Sequence, residues 1–111
     1  MRVLLDECLP RKLGRLLVGH EVSTVQQAGW AGVGNGQLLA RIAGKFDAFI
    51  TVDQNLPAQQ KTATLPFGII VLRTPTNQLV DLAPLVPQML AKLHTLRPGQ
   101  VIAVSTEAAD T

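Results

Sequence analysis

Short apolar runs alternate along this chain with segments whose apolar residues recur at helical spacing, and polar or glycine-rich stretches separate them. Val3-Leu4-Leu5 is the first run; Asp6-Glu7 stops it, so it reads as a buried strand ending on a polar edge. Pro10 then suits the first turn of a helix, Leu13, Leu16 and Leu17 share one helical face, and Gly19 closes the segment. The β-branched residues of His20–Val25 predict a second strand, and the glycines between Gly29 and Gly36 predict a loop. Asn35 reads as the N-cap of a helix over Gly36–Ala43, with Leu38, Leu39 and Ile42 as its apolar stripe and Gly44 at its end. Asp47–Val52 and Ile69–Leu72 read as the third and fourth strands, stopping at Asp53 and at Arg73-Thr74, with a short helix over 57–63 opened by Pro57. Leu82, Leu85, Val86, Met89, Leu90, Leu93 and Leu96 trace the longest amphipathic helix, which Pro87 either kinks or truly begins. Gln100–Val104 is a fifth strand, and residues 105–111 read as a polar tail that frays.

Strands alternating with helices imply parallel pairing, because each parallel connection needs a crossover. The expectation is an α/β fold: a three-layer α/β/α sandwich around a five-stranded, mainly parallel sheet, in one domain over residues 1–104. At 111 residues, two-domain enzymes are excluded, and 47% hydrophobic with 16% charged residues is the composition of a chain that buries a core. Apolar runs such as Phe67–Leu72 fall far short of the roughly 18 residues of a membrane span, so no membrane partner is expected. A lone cysteine, Cys8, makes no intrachain disulfide, and the residues after Met1 lack the apolar core of a signal peptide; a cytoplasmic location is expected. The net charge of +2 is too mild to name a partner.

Ligands of parallel α/β sheets bind outside the carboxyl ends of the strands, near the point where strand order reverses. Asp6 and Glu7 end strand one, Asp53 ends strand three, and Arg73 with Thr74 ends strand four, so three of the eight acids are expected to converge at one rim. Clustered carboxylates repel unless a cation neutralises them or one is protonated. Mg²⁺ or Mn²⁺ suits such a rim, with water and substrate phosphate filling the remaining positions, which points to phosphate chemistry. The plainer alternative is that these acids cap the turns that follow. Neighbours in an extended chain point to opposite faces, which favours Asp6 as a ligand. Glu7 is either a second ligand or a partner of Arg11 and the first helical turn.

The segments Leu4-Leu5-Asp6-Glu7-Cys8-Leu9-Pro10, His20-Glu21-Val22, Asn35-Gly36-Gln37-Leu38-Leu39 and Ile50-Thr51-Val52-Asp53-Gln54-Asn55 together resemble a short, toxin-like branch of the PIN-like nuclease domains, over nearly the whole chain to about residue 104. That resemblance implies a five-stranded parallel sheet, a divalent-metal site of acidic residues, and endoribonuclease activity held in check by a small antitoxin protein. Asp6 matches the first metal-binding aspartate, Glu7 its acidic neighbour, and Thr51 and Asp53 the Thr-x-Asp motif. The chain departs from the pattern at the start of the second helix, where Asn35 and Gln37 replace acids. Both offer a carbonyl oxygen and neither brings negative charge.

Arg11, Lys12 and Arg15 on the first helix either grip an RNA backbone or form a solvated face. Arg73 either pairs with a carboxylate or grips a phosphate. Asn55 and Gln54 orient a water or substrate, or simply satisfy a turn. Trp30 packs the loop, Cys8 reads as a buried inert thiol, Asp47 and His20 lie at the opposite rim, and His94 lies near the end of the long helix. Three functions follow in order. The first is a metal-dependent ribonuclease acting on RNA, in a toxin–antitoxin pair and as a homodimer. The second is a weakened or inactive PIN-like binding module. The third is a receiver-like phosphoacceptor domain, for which the lysine expected after strand five is missing.

Overall fold

Period-two alternation along the strands sorts the core into two halves, one on each side of a single sheet. In the computed structural model, which describes residues 1–105, the strands are β1 (Arg2–Leu5), β2 (Glu21–Thr24), β3 (Ala48–Thr51), β4 (Gly68–Arg73) and β5 (Val101–Ser105). The helices are α1 (Leu13–Leu16), α2 (Asn35–Ile42), α3 (Leu56–Gln59), α4 (Leu79–Leu82) and α5 (Val86–Thr95), with a 3₁₀ turn over Ala83–Leu85 between the last two. All neighbouring strands pair in parallel, in the order β2-β1-β3-β4-β5. On what we call the back, Val3, Leu5, Ile50, Ile70, Leu72 and Val104 pack against Leu13 and Leu17 beside α4 and α5. On the front, Leu4, Phe49, Ile69 and Val71 pack against Leu38, Leu39 and Ile42 of α2 and Leu56 of α3. The architecture is therefore the three-layer α/β/α sandwich, with a sheet that is parallel throughout.

The last crossover differs from the others in hand. From β1 the chain steps one way across the sheet behind it, through α1, to β2; it then steps the other way in front, through α2 and α3, to β3 and β4. Reversing both direction and face preserves the hand, so these three connections agree. The step from β4 to β5 keeps the direction of the previous two, but α4 and α5 lie behind the sheet, so its hand is opposite. About 98% of such connections share one hand, and this one is an exception. Among the described residues no helix covers the front of β5, where Ala103 is exposed.

Several boundaries differ from expectation. Pro10, Arg11 and Lys12 form turns whose carbonyls accept the N–H groups of Leu13, Gly14 and Arg15, so α1 is one turn and not a helix from Pro10. The helix opened by Pro57 ends at Gln59, short of residue 63. Pro87 starts α5 without kinking it, since a missing N–H is harmless in a first turn. Ser105 belongs to β5 and accepts from Gln88 Nε2 at 3.1 Å; the rest of the expected tail lies outside the described residues. Among the described residues no helix is long and apolar enough to cross a membrane.

At the amino rim Asp47 ties β1 to β3. Its Oδ2 accepts from Arg2 N at 2.8 Å, its own N–H donates to Arg2 O at 2.8 Å, and its Oδ1 pairs with the Arg2 guanidinium at 3.5 Å. The Arg2 backbone N–H, aided by the guanidinium and opposed by partial burial, holds this carboxyl below its ordinary value of 3.8. A depressed carboxyl stabilises the fold above its unfolded pKa and loses that contribution as pH falls through the folded one. Asp47→Asn is therefore expected to lower stability by about 0.5 kcal/mol at pH 7, a small effect because both side chains are about half exposed. The gap should close below about pH 4. Urea unfolding at neutral and acid pH measures this, and a gap that persists in acid contradicts the assignment.

Candidate active site

Strand order reverses between β1 and β3, and the carboxyl ends of these two strands carry the acids. Asp6 N still donates to Ile50 O at 2.9 Å, so the β1–β3 ladder extends one residue and Asp6 keeps the front-facing parity of Leu4. Thr51, fully buried, has the front-facing parity of Phe49. Its Oγ1 donates to Asp6 Oδ2 at 2.6 Å and accepts from Asp53 N at 3.1 Å, so one buried hydroxyl links both strand ends. A hydroxyl has one proton, and giving it to Asp6 while receiving from Asp53 fixes its direction.

Each aspartate is held by two donors. Asp6 Oδ1 accepts from Glu7 N at 2.8 Å in addition to the Thr51 bond. Asp53 Oδ1 accepts from Asn55 N at 3.0 Å, and its Oδ2 accepts from Asn35 Nδ2 at 3.3 Å. Asn35 is thus a contact of Asp53 and not the N-cap of α2. Gly34 is the cap, with extended backbone and its carbonyl bonded to Leu38 N at 2.8 Å. One position into the helix, the Asn35 side chain reaches the rim, which leaves its Oδ1 available as a neutral oxygen donor.

Glu7 departs from the expected convergence of three acids. The chain turns directly after Asp6, and Glu7 Oε2 accepts from Gly32 N at 3.3 Å while its carbonyl accepts from Gln26 Nε2 at 2.8 Å. Glu7 therefore fastens the glycine-rich loop to the end of β1, and the Arg11 pairing considered for it is not formed. Among the described residues no three or more His, Cys, Asp or Glu side chains are grouped to hold a metal. What the rim offers is two carboxylates, Asp6 and Asp53, with the Asn35 carbonyl: all hard oxygen donors, a set that suits Mg²⁺ or Mn²⁺, which commonly use one or two carboxylates with water and phosphate. Gln37 is exposed on α2, and Asn55 contributes its backbone while its side chain is exposed.

The basic residues divide between the two faces. Arg11 and Arg15 line a cavity of about 350 Å³ with His20 and Val22 on the back, along the β2 edge, and not beside the carboxylates; Lys12 is exposed on the same layer. Arg73 has front-facing parity, and its Nε donates to Gln54 Oε1 at 3.3 Å. Gln54 is itself anchored, donating from Nε2 to Leu72 O at 2.7 Å and to Val52 O at 3.1 Å. The carboxylate pair considered for Arg73 is absent, since Arg2–Asp47 is the ion pair among the described residues. Gln54, expected from the sequence to orient a water or substrate or to satisfy a turn, instead holds Arg73, a contact that its position after Asp53 did not indicate.

The remaining candidates are structural. Cys8 is exposed as a residue, contrary to the expected burial, yet desolvation of the sulfur and then the nearby Asp6 charge push the thiol above its ordinary value, so it stays protonated at neutral pH. Trp30 packs edge-on against Phe46 at 6.0 Å, with Lys45 Nζ 5.4 Å from its ring centre. Partial burial, the chain's terminal amine and His94 lower the pKa of His20, whose Nδ1 lies 3.4 Å from the Met1 amine at the amino rim. The chain matches no protein-family model, no curated protein and no solved structure.

Proposed function

We propose that this protein is a metal-dependent endoribonuclease of the PIN-like type. The observation that carries the reading is the Asp6–Thr51–Asp53 link at the switch point of the sheet, in the motif positions on which the sequence resemblance rests. Asp6 and Asp53 would hold Mg²⁺ or Mn²⁺, with Asn35 Oδ1 as a neutral third donor. When bound, such an ion activates a water and offsets charge on the phosphodiester. Thr51 aims the Asp6 carboxylate, Asn55 and Asn35 aim that of Asp53, and Glu7 fixes the loop that delivers Asn35. The first N–H groups of α2 add partial positive charge where a phosphate would approach. Two carboxylates in place of more give the site a modest ion affinity, so activity should need millimolar metal. Restraint by a small antitoxin protein and homodimerisation belong to the same reading, as the resemblance implies.

The experiment is incubation of the purified chain with single-stranded and structured RNAs in Mn²⁺ or Mg²⁺. Internal cleavage is expected, and chelation with EDTA should abolish it. Intact RNA under all these conditions would sink the reading and favour the second one, a non-catalytic binding module, which the amide side chain at Asn35 supports. The strand order is also one that receiver domains use. Against that third reading, no lysine follows β5, and the Thr74 hydroxyl is turned to Thr76 O at 2.9 Å.

A further inference from the structure

The oppositely handed crossover has a counterpart on the front of the sheet. A groove of about 340 Å³ lies over β4 and β5, bordered by Gln54 and Pro57, with Val71, Val101 and Ala103 along the strands and Arg73 at the carboxyl end. We propose that this groove is a subsite for a nucleotide of the RNA strand adjoining the scissile phosphate; the inference rests on the ribonuclease reading above.

Position is the first argument. The groove opens on the same face of the sheet as Asp6, Thr51, Asp53 and Asn35, and Gln54, which borders it, directly follows Asp53 in the chain. The basic residues of α1 face the other way.

Charge is the second. Arg73 forms no ion pair among the described residues; its partner is the neutral Gln54, which takes only Nε and leaves both terminal nitrogens for a phosphate. Gln54, fixed by two backbone carbonyls, holds the guanidinium at the rim. It is a positioning residue.

Shape is the third. The volume falls in the range of small-molecule pockets, and Pro57, Val101 and Ala103 present apolar surface on which a base or ribose can lie, with the buried Val71 behind them. An apolar floor under a single cation, beside two carboxylates, fits one nucleotide with its phosphate towards the rim. The groove would stay closed to a base if a helix lay in front of β5.

The test is a titration of the ¹⁵N-labelled full chain with hexauridylate in EDTA, which prevents cleavage, with uridine monophosphate and inorganic phosphate as separate arms. Amide shifts are expected at Val71, Arg73, Val101 and Ala103, at lower concentration for the oligonucleotide than for either small anion. Arg73→Gln should weaken oligonucleotide binding about tenfold and lower the salt slope by about one. Ala103→Glu, an exposed substitution that puts negative charge in the groove, should weaken it comparably, whereas Lys92→Gln on α5 should not. Shifts confined to the α1–β2 edge overturn the inference, as do variants that bind like wild type while the wild type cleaves RNA; both leave the nuclease reading intact. Equal potency of phosphate and hexauridylate assigns the groove to free anions and also overturns it. Concentration-dependent shifts at Val101 and Ala103 without RNA assign it to a second copy of the chain and overturn it in the same way. A wild type that neither binds nor cleaves RNA ends both readings.

Discussion

On the proposed ribonuclease reading, Asp53→Asn is expected to lower single-turnover RNA cleavage by at least two orders of magnitude at saturating Mn²⁺, while the melting temperature stays close to that of the wild type. The loss would come from removing one of the two negative ligands proposed for the ion, whose charge stabilisation in the transition state is worth several kcal/mol. The fold should tolerate the change because Asn35, which now donates to Asp53 Oδ2, can turn its amide and accept instead. Asp6→Asn should be as inactive but less stable. Both oxygens of Asp6 accept hydrogen bonds, from Glu7 N and from the buried Thr51 hydroxyl, and an amide has only one oxygen to offer. An orphaned partner here costs about 1 kcal/mol or more. Cleavage by Asp53→Asn within tenfold of wild type would remove this residue from the proposed chemistry.

The largest stability effect is expected at Gly99, in the turn that feeds β5. Its φ is +79°, and an added Cβ would lie 2.2 Å from the Ala63 carbonyl oxygen and 3.0 Å from the Ala63 carbonyl carbon. Both neighbours are backbone, and the turn is pinned: Gly99 N donates to Phe67 O at 3.0 Å and Ile69 N to Gln100 O at 2.9 Å. Gly99→Ala should therefore lose about 3 kcal/mol, combining the left-handed backbone with a forced displacement of the 63–67 segment. Gly44→Ala provides the comparison, since Gly44 has a φ of +80° with nothing within 4 Å of its added Cβ. It should lose only about 1 kcal/mol. Urea unfolding of the two variants separates strain from overlap, and equal losses at both sites would show that the overlap relaxes freely.

Four of the five strands were legible in the sequence because each is a run of apolar residues stopped by a polar one, the pattern that burial of a parallel sheet on both faces requires, whereas β2, with Val22 as its one apolar residue, was legible from its β-branched residues. The carboxyl-rim positions of Asp6 and Asp53 follow from strand direction alone. Glu7 and Asn35 were harder. Both depend on backbone course just past an element's end, where one residue decides whether a side chain reaches the rim or a loop. Asn35 has the chemistry of a cap, and only the helix beginning one residue earlier turns it towards Asp53. Apolar periodicity gives α4 and α5 a buried side, yet carries no information on which face of the sheet they cover, so the hand of the last crossover and the groove in front of β5 were hidden. Gln54 was a candidate from the sequence, but its hold on β4 was hidden for a related reason: Leu72 and Arg73 belong to a strand that only the fold brings alongside.

The place of β1 between β2 and β3 also sets an order of events during synthesis. Its register joins Val3 to Val22 on one side and to Ala48 on the other. While the chain is being made, the first strand can find β2 early, but its other edge stays open until β3 has left the ribosome. That edge bears Val3, Leu4 and Leu5, all fully buried in the finished molecule. Sheets closed by such distant pairings fold slowly and expose apolar strand edges meanwhile. The two ends of the candidate site, one contributed by Asp6 and the other by Asp53, therefore come together only when the β1–β3 pairing closes, so a nascent chain carries no assembled rim.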